Sequence, residues 1–484
     1  MFDCERFYRK NGGIMPHSTR YSIKTKNMAL LVLFFSIFSL SPSCTKTQEN
    51  GPYLDTAERI LKKGLKEQEA YSLLKDLTAI GPRLTGSPQA ARAVEYTHQK
   101  MLDLGFENVR LEPITVPHWV RGPAEEGRLE SSQLGPHPLS VCAVGGSIST
   151  PEKGISAHVV EVRSFEELRQ LDKKATGKIV FFNRPMDPFL LNTFGSYGQA
   201  ADQRVRGAVE AAKAGAVAAL VRSLTMRLDD FPHTGLMIYD SEIPEIPAAC
   251  ISTIGADFLS DSLKKDPSLR VHLKLSCQNL PPVNSHNVVG QITGSERPDE
   301  IILIGGHLDS WDLGPGAHDD GAGCVQSIEA LRLLKELGLQ PKRTIRAVMF
   351  MNEEFGGSGG RDYARADERK GERHLAAIEA DGGGFLPLGF EVGGNPKTVK
   401  RLQRWEYLFQ SIGMCWIRRG GGGVDISPLA EQGTILMGLV PDSQSYFDVH
   451  HSAKDVLSAV HPRHLELGAV AMAVFAYVLA QEGI

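Results

Sequence analysis

The stretch Ile301-Ile302-Leu303-Ile304-Gly305-Gly306-His307-Leu308-Asp309 decides the fold. A continuous apolar run of this kind is typical of a strand that is buried on both faces of a sheet. The run ends in an imidazole and a carboxylate, and glycine-rich turn residues then lead to a predicted helix at 321–337. Strands that alternate with helices in this way form mostly parallel sheets.

The same pattern continues toward the C-terminus. Apolar strands again alternate with amphipathic helices, so we predict an α/β fold with a mostly parallel central sheet flanked by helices. The predicted strands cover 287–292, 300–305, 344–350 and 376–379, and a second predicted helix covers 461–481.

The rest of the chain divides into two regions that differ in their predicted secondary structure. Residues 52–108 are mostly helical by their apolar spacing, with a break at the turn-rich stretch 81–88. Residues 120–275 combine short β-like runs with one alanine-rich helix, which predicts a separate mixed α/β domain. We therefore expect one domain built from 52–119 and 276–484, with an inserted domain at 120–275.

Histidines and carboxylates follow the ends of several predicted strands. Taken alone, a His-x-Asp at a strand end is usually a hydrogen-bonded turn, and a Glu-Glu pair is usually a solvated surface feature. Their repetition at successive strand ends is not a coincidence, because ligands of open α/β sheets collect beyond the carboxyl ends of the strands. The candidate residues are His307, Asp309, Asp319, Glu353, Glu354, Asp381, His450 and His451.

The mixture of imidazoles and carboxylates, without thiolates, indicates the kind of metal. These ligands suit zinc in a catalytic rather than a structural setting. Two histidines and several acids are enough to hold two ions that share one bridging carboxylate. Such a pair of ions holds a hydroxide and polarises a carbonyl together, which is the chemistry of a hydrolase.

Charge and cysteine content exclude other classes of protein. Lys and Arg number 53 against 57 for Asp and Glu, a net charge of -4, whereas a nucleic-acid partner would call for a basic face. The 7 cysteines include no CxxC pair, so they form neither a disulfide framework nor a thiolate zinc site. We expect most of them to be small buried residues.

The N-terminus has the pattern of an export signal. Lys24 and Lys26 precede the apolar run 28–40, and small residues then lead to Cys44. The run is too short to span a bilayer, which takes about 20 residues, so a secretory signal is the better interpretation. We predict that residues 1–44 direct export and that lipidation of Cys44 attaches the protein to a membrane. The product would be a periplasmic or cell-surface lipoprotein, and without lipidation a secreted protein.

These motifs together resemble the M28 family of zinc peptidases. The resemblance covers roughly residues 55–484, and its metal motifs are specific to the family. It implies an exopeptidase with two Zn²⁺ per chain that hydrolyses dipeptides or short peptides by means of a metal-bridged water and a glutamate base. The matching stretches are 81–88, 285–290, 298–312, 319–323, 352–354 and 450–455.

The resemblance implies a role for each metal ligand. His307 and Asp381 would bind one zinc ion. Glu354 and His451 would bind the other, and Asp319 would bridge the two ions.

Three catalytic roles also follow from the resemblance. Glu353 would be the general base, and Asp309 would orient His307 through its other ring nitrogen. The family places four residues, ending in an acid, after its second histidine ligand, which favours His451 over His450 for the metal. His450 would then donate a hydrogen bond to the developing oxyanion.

The resemblance extends to the backbone and to the inserted domain. A cis peptide bond is expected between Asp319 and Asp320. The inserted domain resembles the protease-associated domain, which is expected to shape access to the site rather than to supply catalysis.

A glycine-rich segment and a basic pair are candidates for contacts with substrate. The segment 420–425 falls where relatives place a loop near the substrate, so Gly423 and Asp425 are candidate substrate-binding residues. A flexible surface connection is the alternative. Arg418 and Arg419 could pair with the carboxylate of a peptide, although an exposed basic pair is the simpler interpretation.

Other functions remain to be weighed. A single-zinc glutaminyl cyclase would transfer an acyl group on the same architecture, and a receptor-like relative would keep the fold without catalysis. The complete ligand set argues against both, and a purely structural lipoprotein leaves the acids and histidines unexplained. Aminopeptidase, dipeptidase and carboxypeptidase activities would share one two-metal core. Relatives also imply a homodimer.

Overall fold

The computed structural model describes residues 51–484, so the predicted export segment and Cys44 lie outside the described part. Residues 56–484 form one compact unit that contains two eight-stranded sheets. Its helices span Leu54–Glu67, Glu69–Ala79, Pro88–Asp103, Phe165–Leu171, Thr193–Ala200, Asp202–Val205, Gly207–Lys213, Thr253–Lys265, Ala322–Glu336, Ser358–Arg365, Pro396–Gln403 and Pro462–Glu482.

The strands are numbered in chain order, and their bounds contain those predicted for the C-terminal half. They are β1 (Glu107–Val120), β2 (Glu125–Glu130), β3 (His137–Leu139), β4 (Val141–Ala143), β5 (Ile155–Val162), β6 (Ile179–Phe182), β7 (Ala218–Arg222), β8 (Ala248–Ile251), β9 (Arg270–Leu275), β10 (Gln278–Ile292), β11 (Arg297–His307), β12 (Arg343–Phe350), β13 (Arg373–Glu379), β14 (Pro387–Val392), β15 (Trp416–Arg419) and β16 (Ile435–Pro441).

The first sheet contains the strands that carry the candidate residues. Its order is β1-β10-β12-β11-β13-β16-β14-β15, and the consecutive neighbours β12, β11, β13 and β16 are all parallel. The edges are mixed, because β1, β10 and β14 make antiparallel pairings. Parallel neighbours end at the same edge of a sheet, so the carboxyl ends of the four central strands lie side by side.

Two buried helices cover this sheet. Ala322–Glu336 and Pro462–Glu482 pack against each other and against β11 and β12. The second of them is, within residues 51–484, the one helix long and apolar enough to cross a membrane. Its side chains are buried almost without a break from Leu465 to Ala480, which is the burial of a core helix.

The second sheet is built from strands that lie between residues 125 and 275. Its order is β3-β2-β9-β5-β6-β7-β8-β4, with a parallel run from β5 to β8. The chain enters this region from β1 and leaves it into β10, and these two strands pair antiparallel as far as Val120 opposite Gln278. The inserted domain at 120–275 and its likeness to a protease-associated domain stay predictions, since 56–484 is one compact unit.

The described cysteines are mostly buried, as expected from their spacing. Cys415 is the exposed one, and the others are free thiols in the interior. The Sγ atom of Cys324 lies 3.1 Å from the main-chain oxygen of His307, at the end of β11. The buried cysteines are Cys142, Cys250, Cys277 and Cys324.

Candidate metal centre

The carboxyl ends of the four parallel strands bring the predicted residues together. His307 is the last residue of β11, and Glu353 and Glu354 follow β12. Asp381 follows β13, and the loop after β16 leads to His451. These positions are far apart in the chain, and the sheet order alone makes them neighbours.

Asp319 occupies the middle of the cluster. Its Oδ1 atom lies 3.2 Å from Nε2 of His307, and its Oδ2 atom lies 3.2 Å from Nε2 of His451. Burial alone would raise the pKa of Asp319, but the two imidazoles lower it well below its usual range. One carboxylate therefore faces two histidines, one with each of its oxygens.

Each of these histidines also faces a second carboxylate. Nε2 of His307 lies 3.4 Å from Oδ1 of Asp381, and Nε2 of His451 lies 3.1 Å from Oε2 of Glu354. Burial would lower the pKa of His307, but Asp319 and Asp381 hold it well above its usual value. The result is two groups of donors that share the Asp319 carboxylate.

The donor set fits a metal site. Groups of three donors, among them His307, Asp319 and Glu354, have ligand atoms within 4.8 Å of one another. Oε1 of Glu354 is buried and has no hydrogen-bond partner within residues 51–484. A buried carboxylate oxygen without a partner is costly unless a cation balances it. Imidazole and carboxylate donors of this kind suit zinc.

Glu353 lies beside the ligand groups without belonging to one of them. Its side chain is half-buried. Burial raises the pKa of Glu353, the charge of His307 lowers it, and the charges of Glu354 and Asp381 raise it further. A carboxyl group with this environment and this position is suited to accept and return a proton.

Asp309 contacts His307 through its main chain. Nδ1 of His307 lies 3.0 Å from the carbonyl oxygen of Asp309 but 3.9 Å from the Oδ1 atom of its carboxylate. The carboxylate instead accepts hydrogen bonds from the main-chain N–H groups of Asn352 at 2.7 Å, Glu353 at 3.1 Å and Glu354 at 3.3 Å. Its side chain therefore fixes the turn that carries the two glutamates.

His450 and His451 are stacked, with ring centroids 3.5 Å apart. Both rings face Asp319, but Nε2 of His450 is 3.6 Å from Oδ2 of Asp319, farther than that of His451, and no Glu354 contact accompanies it. Burial and the neighbouring charge of His451 lower the pKa of His450 well below its usual value. Tyr197 packs edge-on against the His450 ring.

The turn before the helix Ala322–Glu336 contains the expected cis peptide bond between Asp319 and Asp320. The Asp320 carboxylate accepts hydrogen bonds from the main-chain N–H of His307 at 3.0 Å and of Gly323 at 2.9 Å. It thereby connects the end of β11 to the start of the helix.

Two further residues of the site were not recognised in the sequence. Nε1 of Trp311 donates to Oε2 of Glu354 at 2.5 Å, and the Trp311 ring lies 5.5 Å from that of His451. Arg83 is fully buried and donates to the main-chain oxygens of Leu308 at 2.8 Å and Gly316 at 3.0 Å. Both lie in stretches that match the family, Arg83 in 81–88 and Trp311 in 298–312, but neither has the side chain of a zinc ligand.

The candidate substrate-binding residues lie in the segment that follows β15. Asp425 is buried, and neither of its carboxylate oxygens has a hydrogen-bond partner within the described chain. Oε2 of Glu379 accepts a hydrogen bond from the N–H of Ile426 at 3.0 Å, and burial raises the pKa of Glu379 to about 7. A Cβ atom on Gly423 would collide with the Glu379 carboxylate, so this part of the segment is packed rather than free.

The basic pair at 418–419 is not part of the cluster. Arg418 lies on β15, is exposed, and pairs with Glu391 at 2.8 Å. Its guanidinium also covers the ring of Trp416. These contacts are those of a surface arginine at the edge of the sheet.

Comparison with known proteins supports the same assignment. The model of peptidase family M28 matches residues 287–477. Carboxypeptidase Q from Bos taurus is 38% identical over 439 residues, which cover 90% of each chain. Carboxypeptidase Q from Homo sapiens is 37% identical over 415 residues, covering 86% of this chain and 85% of the relative.

Solved structures agree with the fold. The crystal structure of a peptidase M28 precursor from Shewanella amazonensis superimposes with a TM-score of 0.85 at 35% identity, covering 89% of this chain and 97% of that one. BSAP, a zinc aminopeptidase from Bacillus subtilis, shares the fold alone, with a TM-score of 0.61 and 21% identity over 86% of this chain and 96% of its own. The chain belongs to peptidase family M28 and is a metallo-exopeptidase similar to carboxypeptidase Q.

Proposed function

We propose that this metallo-exopeptidase is exported, holds two zinc ions, and hydrolyses the peptide bond of dipeptides or short peptides. The observation that carries the proposal is the Asp319 carboxylate, which faces His307 with one oxygen and His451 with the other, both at 3.2 Å. Each histidine has its own second carboxylate, so the arrangement supports one zinc on each side of Asp319. When bound, zinc would polarise the scissile carbonyl and make water acidic enough to be deprotonated near neutral pH.

The chain's own residues would perform the proton transfers. Glu353 accepts a proton from the attacking water and returns it to the leaving amine, as its raised pKa favours. His450, kept neutral by its lowered pKa, is a hydrogen-bond donor for the developing oxyanion. Asp309 contributes indirectly, because its carboxylate holds the main chain of Glu353.

Substrate contacts are proposed for the segment that contains Gly423 and Asp425. Asp425 is buried near two other acids, and its pKa is raised by burial and then by the charges of Glu379 and Glu353. An ammonium group bound beside these acids would favour their ionised forms, whereas a carboxylate would add to their repulsion. The acids of this segment therefore favour a free amino terminus, and with it aminopeptidase or dipeptidase specificity over carboxypeptidase specificity.

Export is proposed from the sequence pattern at residues 24–44. The similar protein from Shewanella amazonensis is described as a precursor, which supports a processed N-terminus. Mass measurement of the mature N-terminus in cells and of a Cys44→Ala variant would decide between lipoprotein and secreted forms. A lipid adduct on Cys44 that the variant lacks establishes attachment to a membrane, and unprocessed protein in the cytoplasm contradicts export. A homodimer is proposed from the relatives, and light scattering on the purified protein tests it.

The activity is tested on the full chain, purified after export, by counting zinc and assaying dipeptides in three forms. The free, N-blocked and C-blocked forms separate the exopeptidase classes, and a peptide with N-terminal glutamine detects cyclisation by the alternative cyclase activity. We expect two zinc ions per chain and cleavage that requires a free amino terminus. One zinc ion, or release of ammonia without peptide cleavage, would favour the cyclase.

A further inference from the structure

His450 and His451 form hydrogen bonds with residues of the chain segment 125–275, which contains the strands of the second sheet. Nδ1 of His233 lies 2.6 Å from the main-chain oxygen of His450. The N–H of Thr234 donates to the main-chain oxygen of His451 at 3.0 Å. Nδ1 of His451 in turn lies 3.2 Å from the main-chain oxygen of Thr234. His233 and Thr234 thus form hydrogen bonds with His450 and His451, which lie 217 positions further along the chain.

These contacts determine which nitrogen of His451 is free. A carbonyl oxygen only accepts, so Nδ1 of His451 donates a hydrogen bond to Thr234, and Nε2 is the nitrogen that faces Asp319 and Glu354, where its lone pair would serve a bound zinc ion. His307 is arranged in the same way, with Nδ1 at 3.0 Å from the main-chain oxygen of Asp309. Main-chain or carboxylate acceptors of this kind orient histidine ligands and raise their metal affinity.

Thr234 is itself held from three directions. Its main-chain oxygen also accepts from Nη1 of Arg204 at 3.2 Å, and Nη2 of Arg204 is bonded to Tyr197 at 2.6 Å. The Oγ1 atom of Thr234 accepts from Nη2 of Arg121 at 3.3 Å and donates to the main-chain oxygen of Ala143 at 2.8 Å. Thr234, Arg204 and Arg121 are all buried.

The backbone of His451 needs such support. Its φ angle of 58° lies in the left-handed region, which a residue with a Cβ adopts at a cost. The N–H of Thr234 donates to the carbonyl oxygen of His451, and the His451 ring donates back to the carbonyl oxygen of Thr234, so both groups are held in this conformation. His307 has no comparable need, because it is the last residue of a regular strand.

We propose that Thr234 and His233 are positioning residues for the metal ligand His451, so that the 125–275 part of the chain completes one of the two metal sites. The inference rests on the two-zinc function proposed above. It predicts an asymmetry: the site of His451 and Glu354 depends on this part of the chain, whereas the site of His307 and Asp381 does not.

The test is a zinc titration of the full-length protein in competition with a chromophoric chelator. In His233→Phe, which loses the bond to His450, we expect one of the two zinc dissociation constants to rise about 10–100-fold. The other constant should stay at its wild-type value. His233→Asn, whose amide N–H can replace Nδ1–H, should restore the weakened constant. Thr234→Val, which removes only the Oγ1 bonds, should act in the same direction as His233→Phe with less effect.

His158→Phe is the matched control. His158 is exposed on β5 of the same sheet and also has its Nδ1 atom near a main-chain oxygen, that of Leu269 at 3.3 Å. Both zinc constants should be unchanged in this variant. Equal weakening of both sites in His233→Phe, or no weakening of either, would overturn the inference. A wild-type protein that binds fewer than two zinc ions would instead overturn the two-zinc function on which it rests.

Discussion

The carboxylate of Asp309 accepts a hydrogen bond from the main-chain N–H of Glu353 at 3.1 Å, although its own carbonyl oxygen is the group that contacts His307. One residue therefore positions the proposed metal ligand His307 with its backbone and the proposed general base Glu353 with its side chain. Substitution of the side chain should separate the two roles, because it leaves the carbonyl oxygen in place.

Asp309→Ala should impair the position of Glu353 more than it impairs metal binding. Three main-chain N–H groups lose their acceptor, at a cost of about 1–3 kcal/mol in unfolding free energy for each donor that stays buried and unpaired. We expect kcat to fall while zinc content is kept, measured under zinc saturation with urea unfolding alongside. Asp309→Asn retains one acceptor oxygen, so its kcat should lie between that of the wild type and that of Asp309→Ala. Loss of zinc with kcat per bound zinc unchanged would contradict the assignment.

Glu353→Gln should abolish most turnover without removing zinc. Loss of a positioned general base typically costs 10²–10⁴-fold in rate, and the amide keeps the shape of the side chain. The measurement is kcat for an unblocked dipeptide together with the zinc content. The control is Glu431→Gln, since Glu431 is exposed and lies outside the cluster. A Glu353→Gln variant with near wild-type kcat would rule out this residue as the base.

Asp319→Asn and Asp381→Asn should differ in zinc content. Asp319 faces His307 and His451, so its substitution should weaken the binding of both zinc ions. Asp381 faces only His307, so its substitution should weaken the binding of one. We expect fewer than one ion per chain in the first variant and about one in the second, by elemental analysis after dialysis. Chelation of the wild type should abolish cleavage, and added zinc should restore it. Identical zinc content in the two variants would contradict a bridging role.

Trp311→Phe should weaken the zinc site that contains Glu354. The change removes the Nε1–H bond of 2.5 Å to Oε2 of Glu354 but keeps an aromatic ring in the core. Loss of such a supporting hydrogen bond typically lowers metal affinity 10–100-fold. Competition with a chelator measures it, with Trp416→Phe at the sheet edge as the control. An unchanged affinity in Trp311→Phe would show that this bond does not tune the ligand.

Glu466→Gln should make the protein more stable at alkaline pH. Glu466 is buried in the helix Pro462–Glu482, with Oε1 unpartnered among the described residues and Oε2 accepting from the N–H of Ala70 at 3.2 Å. Burial and then the charge of Glu329 raise the pKa of Glu466 to about 8, from an ordinary value of 4.5.

The sign of the pH effect follows from this shift. The folded state keeps a proton that the unfolded state releases above about pH 4.5, so this contribution to stability is lost as the pH rises toward about 8. Melting temperatures of wild type and Glu466→Gln between pH 5 and 9 should therefore diverge, with the variant higher at pH 9. Parallel curves would show that Glu466 titrates normally.

The positions of the C-terminal strands and most of the cluster were predictable, because His307, Glu353, Glu354 and Asp381 stand at or just beyond the ends of apolar runs. His307 and Asp381 follow adjacent parallel strands, and such neighbours must end at one edge. Sequence patterning also anticipated the helix that follows Asp319, predicted from 321 and observed from Ala322. These are local signals, and the parallel topology converts them into a site.

The supporting contacts could not be predicted, and the reason is physical. Thr234 holds His451 with main-chain atoms, which every residue possesses, so its side chain carries no signature of the role. His307 contacts the carbonyl oxygen of Asp309 and not its carboxylate, because Nδ1 of His307 is 3.0 Å from the first and 3.9 Å from the second. This difference follows from the geometry of the turn. Trp311 has a side chain that commonly fills a core, so its residue type gave no indication of the hydrogen bond to Glu354.

The antiparallel pairing of Val120 with Gln278 also bears on how a chain of this design could arise. Val120 and Gln278 lie directly before and after the chain segment that forms the second sheet, and they face each other in the β1–β10 ladder. At such a position a short turn would usually join the two strands as a hairpin. A gene segment inserted at such a turn leaves the register of β1 and β10 intact. The ladder of β1 and β10 therefore tolerates a chain segment of any length at this point, and contacts such as those of Thr234 with His451 tie that segment to the cluster.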